Sequence, residues 1–395
     1  MALLASWCYQ GVVALRSGAD EPDSARDAGA AESARSANSG VETVHPYQGA
    51  MAEVPVRIAW RAWRAEGGGS GAPVILIHGA PGGKDDWQKL APLLATDRDV
   101  YSIDLPGFGA SSMRVPDHSV RASSHAVLAW MDALGFDRAH VVGWSNGGGV
   151  ALHMAHDTPS RVASLTLLAS IGQQQFEGTG SHLIEHARYD LGMLLLGPGV
   201  DLLPHFGVLG SRDARTGWLR SFMQSDQRPF ERMMREIGEA GGPPTLIVHG
   251  RSDFLVPVRT AIATHEQIRG SRLVLMDAMH FIPFMQEDAA ARILGPFFDA
   301  ADDPTGQGMG VAIANGGPSW LQAGSRAEMD EVILSPIQRA AEPARDVVRH
   351  TSPWIMIGVI AGIAFFSPAL AAAAATMLVL GMDVDYLTAI LGVFV

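Results

Sequence analysis

The chain has 395 residues, room for one large catalytic-size domain with appendages rather than a row of domains. Charged residues make up 18% and hydrophobic ones 47%, against about 25% charged in an ordinary soluble chain, and the formal net charge is −12. The acidic balance argues against nucleic acid as a partner, and a single cysteine, Cys8, excludes an internal disulfide and a cysteine-built metal site.

Residues 1–15 are apolar and uncharged with no basic stretch before them, a poor secretory signal and the expected end of a membrane helix. Residues 17–40 contain no large aliphatic side chain, so 16–51 is expected to be a disordered linker. From 52 the pattern changes to short β-rich runs alternating with helical ones. Strands are predicted at 54–63, 73–78, 100–104, 139–144, 162–169, 245–249 and 273–276. Helices are predicted at 121–134, 147–157 and 258–268. Such alternation implies a mostly parallel sheet covered by helices on both faces, an α/β domain over 52–170 and 242–300. The runs Val74-Ile75-Leu76-Ile77 and Leu246-Ile247-Val248 are apolar throughout, as doubly buried parallel strands require.

Residues 171–241 interrupt the alternation with Phe176, Tyr189, Trp218, Phe222, Phe230, Met233 and Met234. They are expected to form a helical insertion that covers a cleft. A linker is expected at 301–353. Trp354 to Met382 then carries no charged residue, longer than the roughly 18 apolar residues that signal a membrane span. Pro368 in its middle allows a kinked helix or a re-entrant pair, and 354–395 is expected to be a membrane segment cut short in a second apolar run. Arg339, Arg345 and Arg349 precede it, which by the positive-inside tendency places the preceding domain in the cytoplasm.

The sharpest chemical signal is Gly143-Trp144-Ser145-Asn146-Gly147, between the apolar run Ala139–Val142 and a helical stretch. A serine on a tight strand-to-helix turn is pushed out of the sheet, and small flanking residues let the backbones approach. The helix beneath it offers free N–H groups. A serine hydroxyl needs a base, and the base needs an orienting carboxylate. His280 and Asp253 are the candidates, each in a loop after a predicted strand, at the edge where open parallel sheets build their sites. Asp277 competes as the acid, while His249, at the end of a buried strand, is less suited as the base. The loop His78-Gly79-Ala80-Pro81-Gly82-Gly83 supplies glycines for close approach, and the backbone N–H groups of Ala80 and Asn146 are candidates for an oxyanion hole. His78 is read as a loop-holding residue. Gly79, Trp144, Trp218 and Phe222 are expected to line the substrate pocket.

These pieces, in this order, resemble the α/β-hydrolase superfamily over about residues 52–300. The likeness includes the segment Asp104-Leu105-Pro106-Gly107-Phe108-Gly109-Ala110-Ser111, a structural turn in that family, and the insertion at 171–241, where the family places its cap. Dehalogenases and epoxide hydrolases of the fold carry aspartate at the nucleophile; Ser145 argues against both. Asn146 stands where Met or Gln is usual, which leaves its backbone N–H in place and alters the pocket. The run from Phe365-Phe366-Ser367-Pro368-Ala369-Leu370 onward resembles the start of a DedA/VTT-type integral membrane domain.

The resemblance implies a membrane-associated serine hydrolase acting on a small apolar acyl or lipid-like substrate through an acyl-enzyme, with no cofactor and no metal. The alternatives are a carbon–carbon bond hydrolase or haloperoxidase-like enzyme with the same residues, and a non-catalytic module of a membrane transport protein. The sequence leaves the oligomeric state open.

Overall fold

The computed structural model describes residues 38–303 except 66–67, 70, 178–188, 192, 194–211, 240 and 254. The expected membrane segments at 1–15 and 354–395 and the 304–353 part of the linker lie outside the described residues. Among the described residues no helix is long and apolar enough to cross a membrane.

Eight strands form one sheet: β1 (Asn38–Val44), β2 (Val56–Trp63), β3 (Val74–Ile77), β4 (Val100–Ile103), β5 (Ala139–Trp144), β6 (Val162–Leu168), β7 (Thr245–Gly250) and β8 (Arg272–Met276). Their spatial order is β1-β2-β4-β3-β5-β6-β7-β8. β1 and β2 pair antiparallel with each other, and β2 runs antiparallel to β4. All pairs from β4 to β8 are parallel. The crossovers contain α1 (Leu90–Leu94), α2 (Val120–Ala133), α3 (Asn146–Asp157), α4 (Arg212–Gln224), α5 (Phe230–Glu239) and α6 (Val258–Gln267). α7 (Ile282–Met285) and α8 (Glu287–Asp302) follow the last strand.

The two-residue period of a strand divides the core. Ile75, Ile77, Val141, Leu165, Leu167 and Ile247 pack on one face with Val127 and Trp130 of α2, Val150 and Met154 of α3 and Phe230 of α5. Val74, Leu76, Val142, Trp144, Leu168, Leu246 and Val248 pack on the other with Leu90 of α1, Phe284 of α7 and Leu294 and Phe298 of α8. Burial on both faces is why these strands read as unbroken apolar runs.

The disordered linker expected over 16–51 is corrected at its end. Asn38–Val44 is an edge strand in full register with β2, from Asn38 opposite Ala62 to Val44 opposite Val56. Of its seven residues only Val44 is buried, so the strand is held by its ladder and carries almost no hydrophobic signature. Within the 171–241 insertion, the described helices are α4 and α5, and α5 buries Phe230, Met233, Met234 and Ile237 against the core.

Candidate active site

Ser145 stands between β5 and α3 with φ 55° and ψ −121°, a conformation that costs a non-glycine residue roughly 1–3 kcal/mol and persists where the surroundings over-determine it. The surroundings are specific. The Ser145 N–H donates to the Leu168 carbonyl at 3.0 Å, and its own carbonyl accepts from Gly148 at 2.9 Å and Ile171 at 3.2 Å. The glycines around it are steric requirements. A Cβ at Gly143 would strike the Gly147 carbonyl oxygen, and one at Gly147 would strike the carbonyl oxygens of Ile77 and His78. Strand β3, strand β5 and helix α3 can therefore meet only through bare backbone at this corner.

The loops after β7 and β8 bring Asp253 and His280 together. His280 Nδ1 lies 2.7 Å from Asp253 Oδ2. A carboxylate only accepts, so Nδ1 carries the hydrogen and Nε2 is left as the basic ring nitrogen. Asp253 is fully buried, and its Oδ1 accepts the N–H groups of Leu255 and Val256, each at 2.9 Å. Burial alone would push its carboxyl upward; the charge and hydrogen bond of His280, with His249 and the Val256 amide, hold it below the usual carboxylate range. Of the two aspartates, Asp253 bonds His280 and Asp277 is exposed. His280 is itself 3% exposed.

Trp144 ties the Ser145 turn to the His280 loop. Its indole Nε1 donates to the His280 carbonyl at 3.0 Å, and the two rings lie 5.6 Å apart. The side chain is buried on the α7–α8 face of the sheet, edge-on to Trp87 and Phe284. This corrects the pocket expected at Trp144. The period of β5 turns the indole into the core opposite the one that holds α5, where it supports the His280 loop.

Of the other expected pocket residues, Gly79 lies beside Ser145. A Cβ on Gly79 would stand 3.0 Å from the Ser145 Cβ, so the 78–83 loop runs against Ser145. His78 holds that loop: its Nε2 accepts from the Leu105 N–H at 3.0 Å and its Nδ1 donates to the Gly79 carbonyl at 2.5 Å. Asp104 anchors the facing turn, accepting from the Lys84 and Ala110 N–H groups at 2.6 and 2.8 Å. Trp218 and Phe222 of α4 are half-buried and meet edge to face, and Tyr189 stacks on Phe222 with ring centres 5.4 Å apart.

Helix α4 is fastened over this edge by contacts that sequence reasoning did not identify. Asn146 Nδ2 donates to Ser221 Oγ at 3.2 Å. Gly217 abuts the Gly107 backbone so closely that a Cβ there would strike the Gly107 carbonyl. The His118 N–H donates to Gln224 Oε1 at 2.6 Å, and the Val120 N–H to Ser225 Oγ at 3.0 Å. A serine on the buried stripe of an amphipathic helix was the available signal, but nothing in the sequence names its partner. Among the described residues no cluster of three His, Cys, Asp or Glu side chains is arranged to hold a metal ion.

A family model described as alpha/beta hydrolase fold matches residues 72–224. A pimeloyl-[acyl-carrier protein] methyl ester esterase of Neisseria meningitidis serogroup C is 30% identical over 240 residues, 55% of this chain and 89% of that protein. The chain belongs to the α/β-hydrolase family. The dihydrolipoyllysine-residue acetyltransferase component of the Pseudomonas putida acetoin cleaving system is 30% identical over 245 residues, 58% of this chain, and the chain spans 64% of its length. Among solved structures, a thermophilic esterase from Thermogutta terrifontis superposes with a TM-score of 0.55 at 20% identity, covering 67% of this chain and 99% of the esterase. That likeness concerns the fold.

Proposed function

We propose that this α/β-hydrolase cleaves a carboxylic ester through Ser145, His280 and Asp253. The observation that carries the proposal is the buried Asp253–His280 bond at the same sheet edge as a serine held at φ 55°. His280 Nε2 takes the Ser145 hydroxyl proton as Oγ attacks the acyl carbonyl. The imidazolium that forms is stabilised by Asp253 through Nδ1–H. The N–H groups of Ala80 and Asn146 receive the developing oxyanion; Asn146 is the first residue of α3, where helix amides have no intrahelical acceptor. Each such donor is worth roughly 3 kcal/mol in the transition state. His280 then returns the proton to the leaving alkoxide, and water attacks the acyl-enzyme by the same route.

An ester rather than another acyl bond is supported by the similarity to the methyl ester esterase, whose length the chain covers at 89%. The aromatic side chains Trp218, Phe222 and Tyr189 over the rim favour an apolar or lipid-like acyl group. The charge-free stretch 354–382 supports a membrane tether, and with it a substrate delivered from a lipid surface.

The test is hydrolysis of a short p-nitrophenyl ester by the full chain, with labelling by a fluorophosphonate probe. Ser145→Ala is expected to abolish labelling and to lower kcat/KM by about four orders of magnitude or more. Equal rates, or a label elsewhere in the chain, overturn the proposal. A parallel assay with a vinylogous diketone reports a carbon–carbon preference instead.

A further inference from the structure

Asp253 is contacted by two imidazoles. Besides His280 at 2.7 Å on Oδ2, His249 places Nε2 3.4 Å from the same oxygen. His249 is the fifth residue of β7, four positions before the acid, and is 1% exposed. Its Nε2 also lies 2.9 Å from the Val256 carbonyl oxygen. The Val256 carbonyl only accepts and so fixes the tautomer: Nε2 bears the hydrogen and donates it there, with the same ring edge turned toward the carboxylate. Nδ1 has no hydrogen-bond partner. A second proton there would be a buried donor with nothing to receive it, so His249 is neutral. Burial pushes its pKa down in keeping with this.

We infer that His249 is a positioning residue for the reaction, one that tempers the basicity of Asp253. The carboxylate is held in place without it, because Oδ1 already accepts from Leu255 and Val256. What His249 adds is the N–H edge of a neutral imidazole 3.4 Å from the oxygen that faces His280. An oxygen whose charge is partly offset by that dipole attracts the His280 N–H less strongly. His280 is then gripped firmly enough to be oriented and loosely enough to give up its proton again. Among the described residues, the ionisable groups facing Asp253 are His280 and His249, and those facing His249 are Asp253 and His280.

The inference rests on the serine-hydrolase reading for its kinetic consequence, but not for its spectroscopic one. His249→Gln puts an amide nitrogen where Nε2 stands; His249→Asn falls short of it. Both are polar and of moderate size, so each controls for the folding of the other. In the full chain, His249→Asn is expected to move the acidic limb of the kcat/KM profile upward by roughly half a pH unit. His249→Gln is expected to return it to the wild-type position. In parallel, the proton NMR resonance of His280 Nδ1–H, assigned with His280→Gln, is expected to move downfield in His249→Asn and back in His249→Gln. A limb and a resonance that stay put in His249→Asn, with only Tm lowered, overturn the inference and leave His249 a packing residue. Absence of ester hydrolysis in the wild type removes the kinetic arm and refutes the serine-esterase proposal, while the resonance still decides the role of His249.

Discussion

At the scale of single residues, the proposed mechanism depends on which of two aspartates is the acid. Both Asp253 and Asp277 follow strands in the sequence, and both precede His280. The distinction is made by a turn: Asp253 is buried with both oxygens accepting hydrogen bonds, and Asp277 faces solvent. Asp253→Asn is therefore expected to lower kcat about 10⁴-fold with the fold retained, because the amide favours the wrong imidazole tautomer. Asp277→Asn is expected to remain within a factor of two or so of the wild type. Matched kinetics on the two variants, with circular dichroism to confirm folding, separate them; a large loss in Asp277→Asn instead would reassign the acid. Asn146 adds a second consequence of residue type. Its backbone serves the proposed oxyanion hole as any residue would, but its side chain joins the turn to Ser221 on α4. A Met at this position would leave Ser221 without that donor.

At the scale of elements, the strands legible in the sequence are those buried on both faces. β5 and β7 begin at the expected residues, Ala139 and Thr245, because their runs of apolar side chains have no other use. β1 was not legible, because Asn-Ser-Gly-Val-Glu-Thr-Val on a sheet edge needs little more than its backbone ladder. The side of the sheet on which Trp144 falls was not legible either, since a strand's period fixes alternation and not its phase. The register is set by partners far along the chain. Helix packing also gives a pH dependence. His153 of α3 is 7% exposed, with its ring edge-on to Phe230 of α5 at 5.6 Å. Burial lowers its pKa from 6.5 to about 4, against the opposing pull of Asp157. The unfolded chain therefore binds a proton that the folded one refuses, and stability falls as pH drops from 6.5 toward 4. The loss amounts to about 3 kcal/mol at most. His156 acts in the opposite sense. Burial disfavours its charged form, but hydrogen bonds to Glu236 and Asp157 raise its pKa, so its contribution is present at low pH and lost as pH rises. Denaturant titrations of His153→Gln between pH 4 and 7 are expected to show a flatter slope than the wild type. An unchanged slope would mean that the imidazole is protonated in place.

At the scale of the whole molecule, the parallel strands place the loops after β5, β7 and β8 at one edge, while the chain's last described helix covers the face of the sheet that holds Trp144. That helix also carries the last described core contacts. Apolar periodicity puts the boundary near residue 300, since the last core side chains of α8 are Phe297, Phe298 and Ala300. Polar contacts carry it further. Asp302 Oδ2 accepts from Arg98 Nη1 at 3.0 Å, and the same guanidinium nitrogen lies 3.0 Å from Nε2 of the fully buried His140, whose Nδ1 meets Ser164 Oγ at 2.8 Å. Arg98 is 4% exposed, so a lost carboxylate is not replaced by water at no cost. A chain ending at Ala300 keeps Asp97 and Asp299 as partners of Arg98 but loses Asp302. It is expected to be less stable than one ending at Asp303 by about 1–3 kcal/mol, the cost of leaving a buried charged donor short of an acceptor. Urea unfolding of the two chains, each starting at Asn38, measures the difference. Asp302→Asn in the longer chain should reproduce most of it. Equal midpoints for all three would show that the network is held by Asp299 alone, and that the boundary lies where the apolar pattern ends.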